Sequence, residues 1–238
     1  MTCAKTSAVP TSPARSGQSA VVPAARKTLL LFDLDGTLWD SAANVAEAWN
    51  EIFLREDPSL PPLTTEDIHS VMGLTMREIQ DVLHPSIPAE KRDRIFEECN
   101  RYEVEYLRLH GGTVYPGLRE VLEALRGRGF TLGIVSNCQC GYIDAFLKSS
   151  GVGDLIADWE EWERTGLVKG KNIRLVMERN GFDQAVYIGD TAKDEEAANL
   201  AGLPFIHAAY GFGRGQHPVG VLSALTELPA LIDRLNLD

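Results

Sequence analysis

In Leu30-Leu31-Phe32-Asp33-Leu34-Asp35-Gly36-Thr37 an apolar run ends abruptly in two acids two residues apart, and a glycine follows. The run reads as a buried strand, and at strand period both carboxylates point to one face with Leu34 on the other. Gly36 lets the backbone turn sharply just past them. Two like charges this close repel unless a cation lies between them or one carries a proton. A hard cation with oxygen ligands, such as Mg²⁺, is the natural partner.

Working outward, four further runs rich in β-branched or aromatic residues read as strands: Thr131–Asn137, Asp154–Trp159, Ala185–Asp190 and Pro204–Tyr210, beside Thr28–Asp35 itself. All five are near-continuous rather than alternating, which favours parallel strands covered on both faces. Helical spacing separates the later ones. Leu118, Val121, Leu122 and Leu125 share one helix face, Gly127 and Gly129 stop it, and Ile173, Val176 and Met177 repeat the pattern, as do Ala197, Leu200 and Ala201. The alternation predicts an α/β fold, a doubly wound parallel sheet.

Residues 41–112 differ, with helical patterns and no convincing strand. Ala46, Trp49, Ile52 and Phe53 mark one helix; Thr64 with Asp67 and Thr75 with Glu78 have capping-box spacing; Ile95, Phe96, Cys99, Tyr102 and Tyr106 mark a long fourth helix. The expected organisation is a tail at 1–26 too rich in Ala, Ser, Thr and Pro to order, an α/β core at 27–40 and 113–238, and a helical cap at 41–112 hinged near Asp40 and Gly111–Gly112.

Composition bounds the partners. The 238 residues carry Lys+Arg 23 against Asp+Glu 34, a formal net charge of −11. Such a chain repels nucleic acid and anionic membrane at long range, so neither is an expected partner. An anionic small substrate would need local positive charge, from a metal or a placed lysine. No apolar run is long enough for a membrane span. Four irregularly spaced cysteines, Cys3, Cys99, Cys138 and Cys140, do not read as a disulfide framework. The expectation is a cytoplasmic protein, monomer or homodimer, and a bystander role for Cys138-Gln139-Cys140.

Other polar groups also stand at strand ends. Ser136 and Asn137 end the second strand with groups suited to phosphate oxygens, and Thr37 follows the acid pair. Lys169-Gly170-Lys171 precedes a helix, and either lysine could neutralise a phosphate; Lys169 lines up better with that helix. Gly189-Asp190 ends the fourth strand, with Asp194 four residues on. Asp190 is positioned to face Asp33 across adjacent strand ends and complete a carboxylate metal site, and Asp194 to hold a metal-bound water or orient the lysine. Each of these groups alone reads equally as part of a polar turn.

In that order, Asp33–Thr37, Ser136–Asn137, Lys169 and Gly189–Asp194, the chain resembles the haloacid dehalogenase-like hydrolase superfamily, in its phosphatase branch with a helical cap after the first strand. It departs from the common Lys-Pro-x-Pro pattern, having Lys169-Gly170-Lys171-Asn172. The resemblance implies a Mg²⁺-dependent phosphohydrolase acting on a small phosphorylated metabolite. Asp33 would attack phosphorus and form an aspartyl-phosphate. Asp35 would protonate the leaving oxygen and then activate water. The ion would be held by Asp33, the Asp35 carbonyl and Asp190. Ser136 and the Asn137 amide would bind phosphate oxygens. A phosphomutase of the same superfamily, or a non-catalytic binding module on the same fold, are the alternatives; Asp35 argues against a dehalogenase. Substrate choice is expected in the turn Gly73–Ile79, with Arg77 reading a distal group. Trp39 is read as lining the cavity or packing at the hinge, and Trp49, Trp159 and Trp162 as structural.

Overall fold

The computed structural model describes residues 28–237. The expected tail at 1–26, and Cys3 within it, lie outside that range. Strand β1 (Leu29–Phe32) leads through a turn to β2 (Trp39–Asp40). Four helices follow: α1 (Ala42–Glu56), α2 (Thr65–Val71), α3 (Met76–Leu83) and α4 (Ala89–His110). Strand β3 (Thr113–Val114) then returns antiparallel to β2, pairing Trp39 with Val114 and Asp40 with Thr113. From there the chain alternates α5 (Leu118–Gly127), β4 (Thr131–Ser136), α6 (Tyr142–Ser150) and β5 (Asp158–Glu161). Next come α7 (Trp162–Thr165), α8 (Lys169–Asn180), β6 (Ala185–Gly189), α9 (Ala192–Ala201), β7 (Phe205–Ala208), β8 (Gly220–Leu222) and α10 (Leu228–Leu235).

Six strands form one parallel sheet in the order β5-β4-β1-β6-β7-β8. β1 lies inside it, with Phe32 registered against Ile134 on one side and Ile188 on the other. Its alternation explains the two layers of helices. Leu30 and Phe32 pack into a cluster with α1, α5, α6 and α10, whereas Leu29 and Leu31 face Ile173, Val176, Met177 and Ala198 of α8 and α9. After β1 the chain winds outward to β5, then crosses back to β6 on the other flank. The reversal opens a crevice at the carboxyl ends of β1 and β6, where doubly wound sheets bind ligands.

The sequence expectations meet this fold unevenly. The strand read over Thr28–Asp35 stops at Phe32, because the Leu34 carbonyl turns to accept the amides of Thr37, Leu38 and Trp39. The third strand is Asp158–Glu161 and not Asp154–Trp159. Leu155 and Ile156 are buried but lie in a turn and the irregular segment after it, and the strand itself carries Glu160 and Glu161 into the interior. Arg164 and Arg179 hold the Glu160 carboxylate there, a compensation that apolar patterning does not register. Both capping boxes form, at α2 and α3. Tyr102 and Tyr106 flank α4 and donate to Glu51 and Glu47 of α1, while its buried second half is Glu103, Val104 and Leu107. Leu200 is 61% exposed, so only the alanines of α9 face the sheet.

Trp39 is fully buried, edge-on to Tyr142 and Phe146, which is the packing reading of that residue. Cys99, Cys138 and Cys140 are thiols. Among the described residues no helix is long and apolar enough to cross a membrane.

Candidate active site

Asp33 is the first residue past β1, its amide bonded to the Ile188 carbonyl at 2.8 Å, so its side chain stands at the strand end with 2% exposure. Asp190 follows β6 directly and is fully buried. Asp194 lies on the first turn of α9, where Thr191 and Asp194 form a capping box. One carboxylate oxygen from each of Asp33, Asp190 and Asp194 lies within 4.8 Å of the others. Lys169, the first residue of α8, reaches into the cluster: its Nζ donates to Asp33 Oδ1 at 2.9 Å and Asp194 Oδ1 at 2.7 Å. Lys171 is exposed, so of the two lysines the geometry selects Lys169.

The electrostatics are those of too many acids for one ammonium. Burial, then the neighbouring Asp194 carboxylate, raises Asp33 above the ordinary carboxylate range even with Lys169 beside it. Burial, then Asp194 and Asp33, raises Asp190 in the same way. The acids in turn hold Lys169 well above its usual value, in spite of its burial.

Asp194 is saturated. Its Oδ1 takes Lys169, and its Oδ2 accepts from the Thr191 amide at 2.9 Å, the Thr191 hydroxyl at 2.6 Å and the Asp190 amide at 3.2 Å. Asp190 is not: its Oδ2 accepts the Phe212 amide at 2.7 Å, but its Oδ1 is buried without a partner among the described residues. A buried carboxylate oxygen with no donor is costly. Beside Asp33 it fits an oxygen-ligated divalent cation. Asp33 and Asp190 would therefore be the carboxylate ligands, and Asp194 the residue that positions Lys169.

Two glycines let the acids approach. Gly36 adopts φ +78°, and a Cβ there would lie 2.6 Å from the Asp190 carboxyl carbon. A Cβ on Gly189 would lie 2.6 Å from the Asp194 Cβ.

Asp35 stands apart from the cluster. Its Oδ1 accepts from the Ser41 hydroxyl at 2.7 Å and the Tyr142 hydroxyl at 3.0 Å, and those two hydroxyls are themselves 2.7 Å apart. Burial pushes this carboxyl up to about 7, against the pull of Ser41 and with Asp33 adding to the rise. A carboxyl so held can give up and take back a proton near neutrality.

A cleft of about 50 Å³ opens over these groups. Asp33, Asp35, Ser136 and Asn137 line its floor, and α1, α2 and α3 and the turn between the last two line its roof with Val45, Ile68, Val71, Leu74, Met76 and Ile79. The roof touches the floor side at three places. The Asn137 side-chain amide donates to the Gly73 carbonyl at 3.1 Å, Lys193 pairs with Glu78 at 2.8 Å, and the His69 ring lies 4.5 Å from that of Phe212.

Thr37 and Arg77 join neither the carboxylate–lysine cluster nor the cleft lining. Thr37 is enclosed beneath the turn, its carbonyl accepting from Tyr210 and its hydroxyl unpartnered among the described residues. Arg77 is exposed on α3 and does not line the cavity. Conversely, the sequence reading gave no site role to Ser41, Tyr142, Glu103 or Gln139, and took Trp49, which lines the cleft, as structural. Glu103 left one signal: it stands four residues from both Cys99 and Leu107, a carboxylate inside an apolar helical stripe.

Comparison with known proteins agrees with this geometry. Residues 30–208 match the family model described as haloacid dehalogenase-like hydrolase. A phosphoglycolate phosphatase of Rhodospirillum rubrum is 28% identical over 207 residues, spanning 82% of this chain and 84% of that one. A phosphoglycolate phosphatase of Chromobacterium violaceum is 33% identical over 199 residues, spanning 76% and 84%. Among solved structures, a predicted phosphoglycolate phosphatase from Haemophilus somnus superposes with a TM-score of 0.75 at 20% identity, covering 87% of this chain and 99% of that one. A beta-phosphoglucomutase from Clostridium difficile does so at 0.69 and 18%, covering 89% and 98%.

Proposed function

The chain belongs to the haloacid dehalogenase-like hydrolase family, and we propose that within it the protein is a Mg²⁺-dependent phosphatase of small phosphate monoesters, working through an aspartyl-phosphate on Asp33. The observation that carries this reading is the gathering of Asp33, Asp190 and Lys169 at the β1/β6 crevice, with one Asp190 oxygen buried without a partner among the described residues. The names of the curated relatives point to the same reaction class.

An ion held by Asp33, Asp190 and the Asp35 carbonyl would neutralise charge on the transferring phosphoryl group. Asp33 needs no base, because a carboxylate is already the nucleophile. One of its oxygens forms the bond to phosphorus as the bond to the leaving oxygen breaks. Lys169 offsets the negative charge that Asp33 and the phosphate bring together, and Asp194 holds the lysine at that point. Asp35, fixed by Ser41 and Tyr142, gives its proton to the leaving oxygen. It then takes a proton from the water that attacks phosphorus, which frees Asp33 and releases inorganic phosphate. Ser136 and Asn137 receive phosphate oxygens. Residues 41–112 act as a cap whose roof keeps bulk water from the site.

The test is phosphate release from a generic aryl phosphate by the full chain. Activity should appear with Mg²⁺, disappear with chelator, and fall by at least about a thousandfold in Asp33→Asn. Wild-type turnover no greater than that of Asp33→Asn would leave a binding module. A phosphorylated isomer accumulating in place of free phosphate from a sugar phosphate would make it a mutase.

A further inference from the structure

The cleft is chemically two-ended. Its floor is acidic and phosphate-directed, while its roof is aliphatic. Among the residues lining it there is no lysine, arginine or histidine. The nearest ammonium, Lys169, is already engaged by Asp33 and Asp194, and Arg77 points elsewhere. A second anionic group on the substrate would thus lose its water against Val45, Ile68 and Ile79 with no cation to receive it, inside a chain of net charge −11.

The cleft has one polar spot away from the catalytic acids. Glu103 of α4 is 3% exposed and lines it, with Oε2 accepting from Trp49 Nε1 at 2.7 Å. Gln139, on the loop after β4, is 6% exposed and also lines it; its amide lies beside the Glu103 carboxyl, and its buried Nε2 makes no well-formed hydrogen bond among the described residues. The pair offers a carboxyl oxygen to accept and an amide to donate. A hydroxyl answers both at once, since it is donor and acceptor together. An ammonium would leave the Gln139 donor unanswered, and a carboxylate would find no cation among the lining residues to offset its lost water.

Resting on the reading of the site proposed above, we infer that the natural substrate is a phosphate monoester with an uncharged leaving group: a short apolar stem bearing a hydroxyl that Glu103 and Gln139 receive. Phosphoglycolate, the compound in the relatives' names, carries a carboxylate there and would be a poor substrate of this chain.

The experiment compares kcat/KM of the full chain with Mg²⁺ on ω-hydroxyalkyl phosphates of two to six carbons, the alkyl phosphates of matching length, and 2-phosphoglycolate. At the best length the hydroxylated compound should exceed its plain counterpart by about tenfold, and phosphoglycolate by at least as much. Gln139→Leu and Glu103→Gln, each checked by circular dichroism for an intact fold, should narrow the hydroxyl preference to about threefold or less, mostly through KM. Phosphoglycolate preferred or equal, or a hydroxyl preference untouched by both folded variants, overturns the inference while leaving the phosphatase reading in place. Failure to hydrolyse any of these esters or an aryl phosphate overturns both.

Discussion

Glu103 shows what a single buried carboxyl costs and where the cost falls on the pH scale. Burial lifts it from its ordinary 4.5 to about 8, and the Trp49 indole offsets that only in part. A raised carboxyl binds its proton more tightly in the folded chain, so its favourable contribution is complete below pH about 4.5. It is lost as the pH climbs through about 8. Glu103→Gln keeps an oxygen for the indole and removes the titration. Its melting temperature should match wild type at acid pH, exceed it by a growing margin between pH about 4.5 and about 8, and hold that margin above. A margin that does not change with pH would show that Glu103 does not titrate in the folded chain. The site was unevenly legible for a related reason. Asp33, Asp190 and Lys169 stand at strand ends or at the head of a helix, where a sequence motif fixes position. Gln139 and Tyr142 lie on the loop after β4 and the helix it opens, and only the folded packing of that loop brings them to the cleft.

At the scale of elements, the roof depends on helices with little intrinsic stability. α2 has seven residues, and Thr64 supplies its cap: the Thr64 hydroxyl accepts from the Asp67 amide at 3.2 Å while the Asp67 carboxylate accepts from the Thr64 amide at 2.8 Å. Thr64→Ala should cost about 1 kcal/mol in a denaturant titration, because the Asp67 amide loses its side-chain acceptor while the bond from the residue 64 amide to the Asp67 carboxylate stays. The Lys193–Glu78 pair joining α9 to α3 is half-exposed on both sides and contributes little by comparison. Elements were legible wherever one apolar face or one run sufficed to define them. The parallel strands β1, β4, β6 and β7 and the helices α1, α4, α5 and α8 all fall where apolar spacing puts them. β8 was not read because a three-residue edge strand carries too few apolar positions to stand out, whereas α10, with Leu228, Leu231, Ile232 and Leu235 at i, i+3, i+4 and i+7, was legible and passed over. β5 was misplaced because two buried acids break its apolar run, Glu160 being held by Arg164 and Arg179 and Glu161 accepting from the Gly141 amide.

At the scale of the whole molecule, the charge of −11 acts against the proposed substrate. A phosphate dianion approaches through a repulsive field that salt screens over about 10 Å at 0.1 M. At fixed Mg²⁺, raising ionic strength from about 0.02 to about 0.15 M should therefore increase kcat/KM for a dianionic ester about two- to threefold. A decrease would mean that a local positive potential dominates the approach. The place of β1 in the sheet has a consequence of another kind. Leu29 pairs with Thr131 on one side and Ala185 on the other, about a hundred and about a hundred and fifty residues away along the chain. The strand that carries the proposed nucleophile precedes both partners in the chain, and it waits for both before it can be clasped. Local helices such as α4 need no such wait. On refolding, the ellipticity of the helices should recover first, and the capacity to turn over substrate only after the slowest, longest loop has closed.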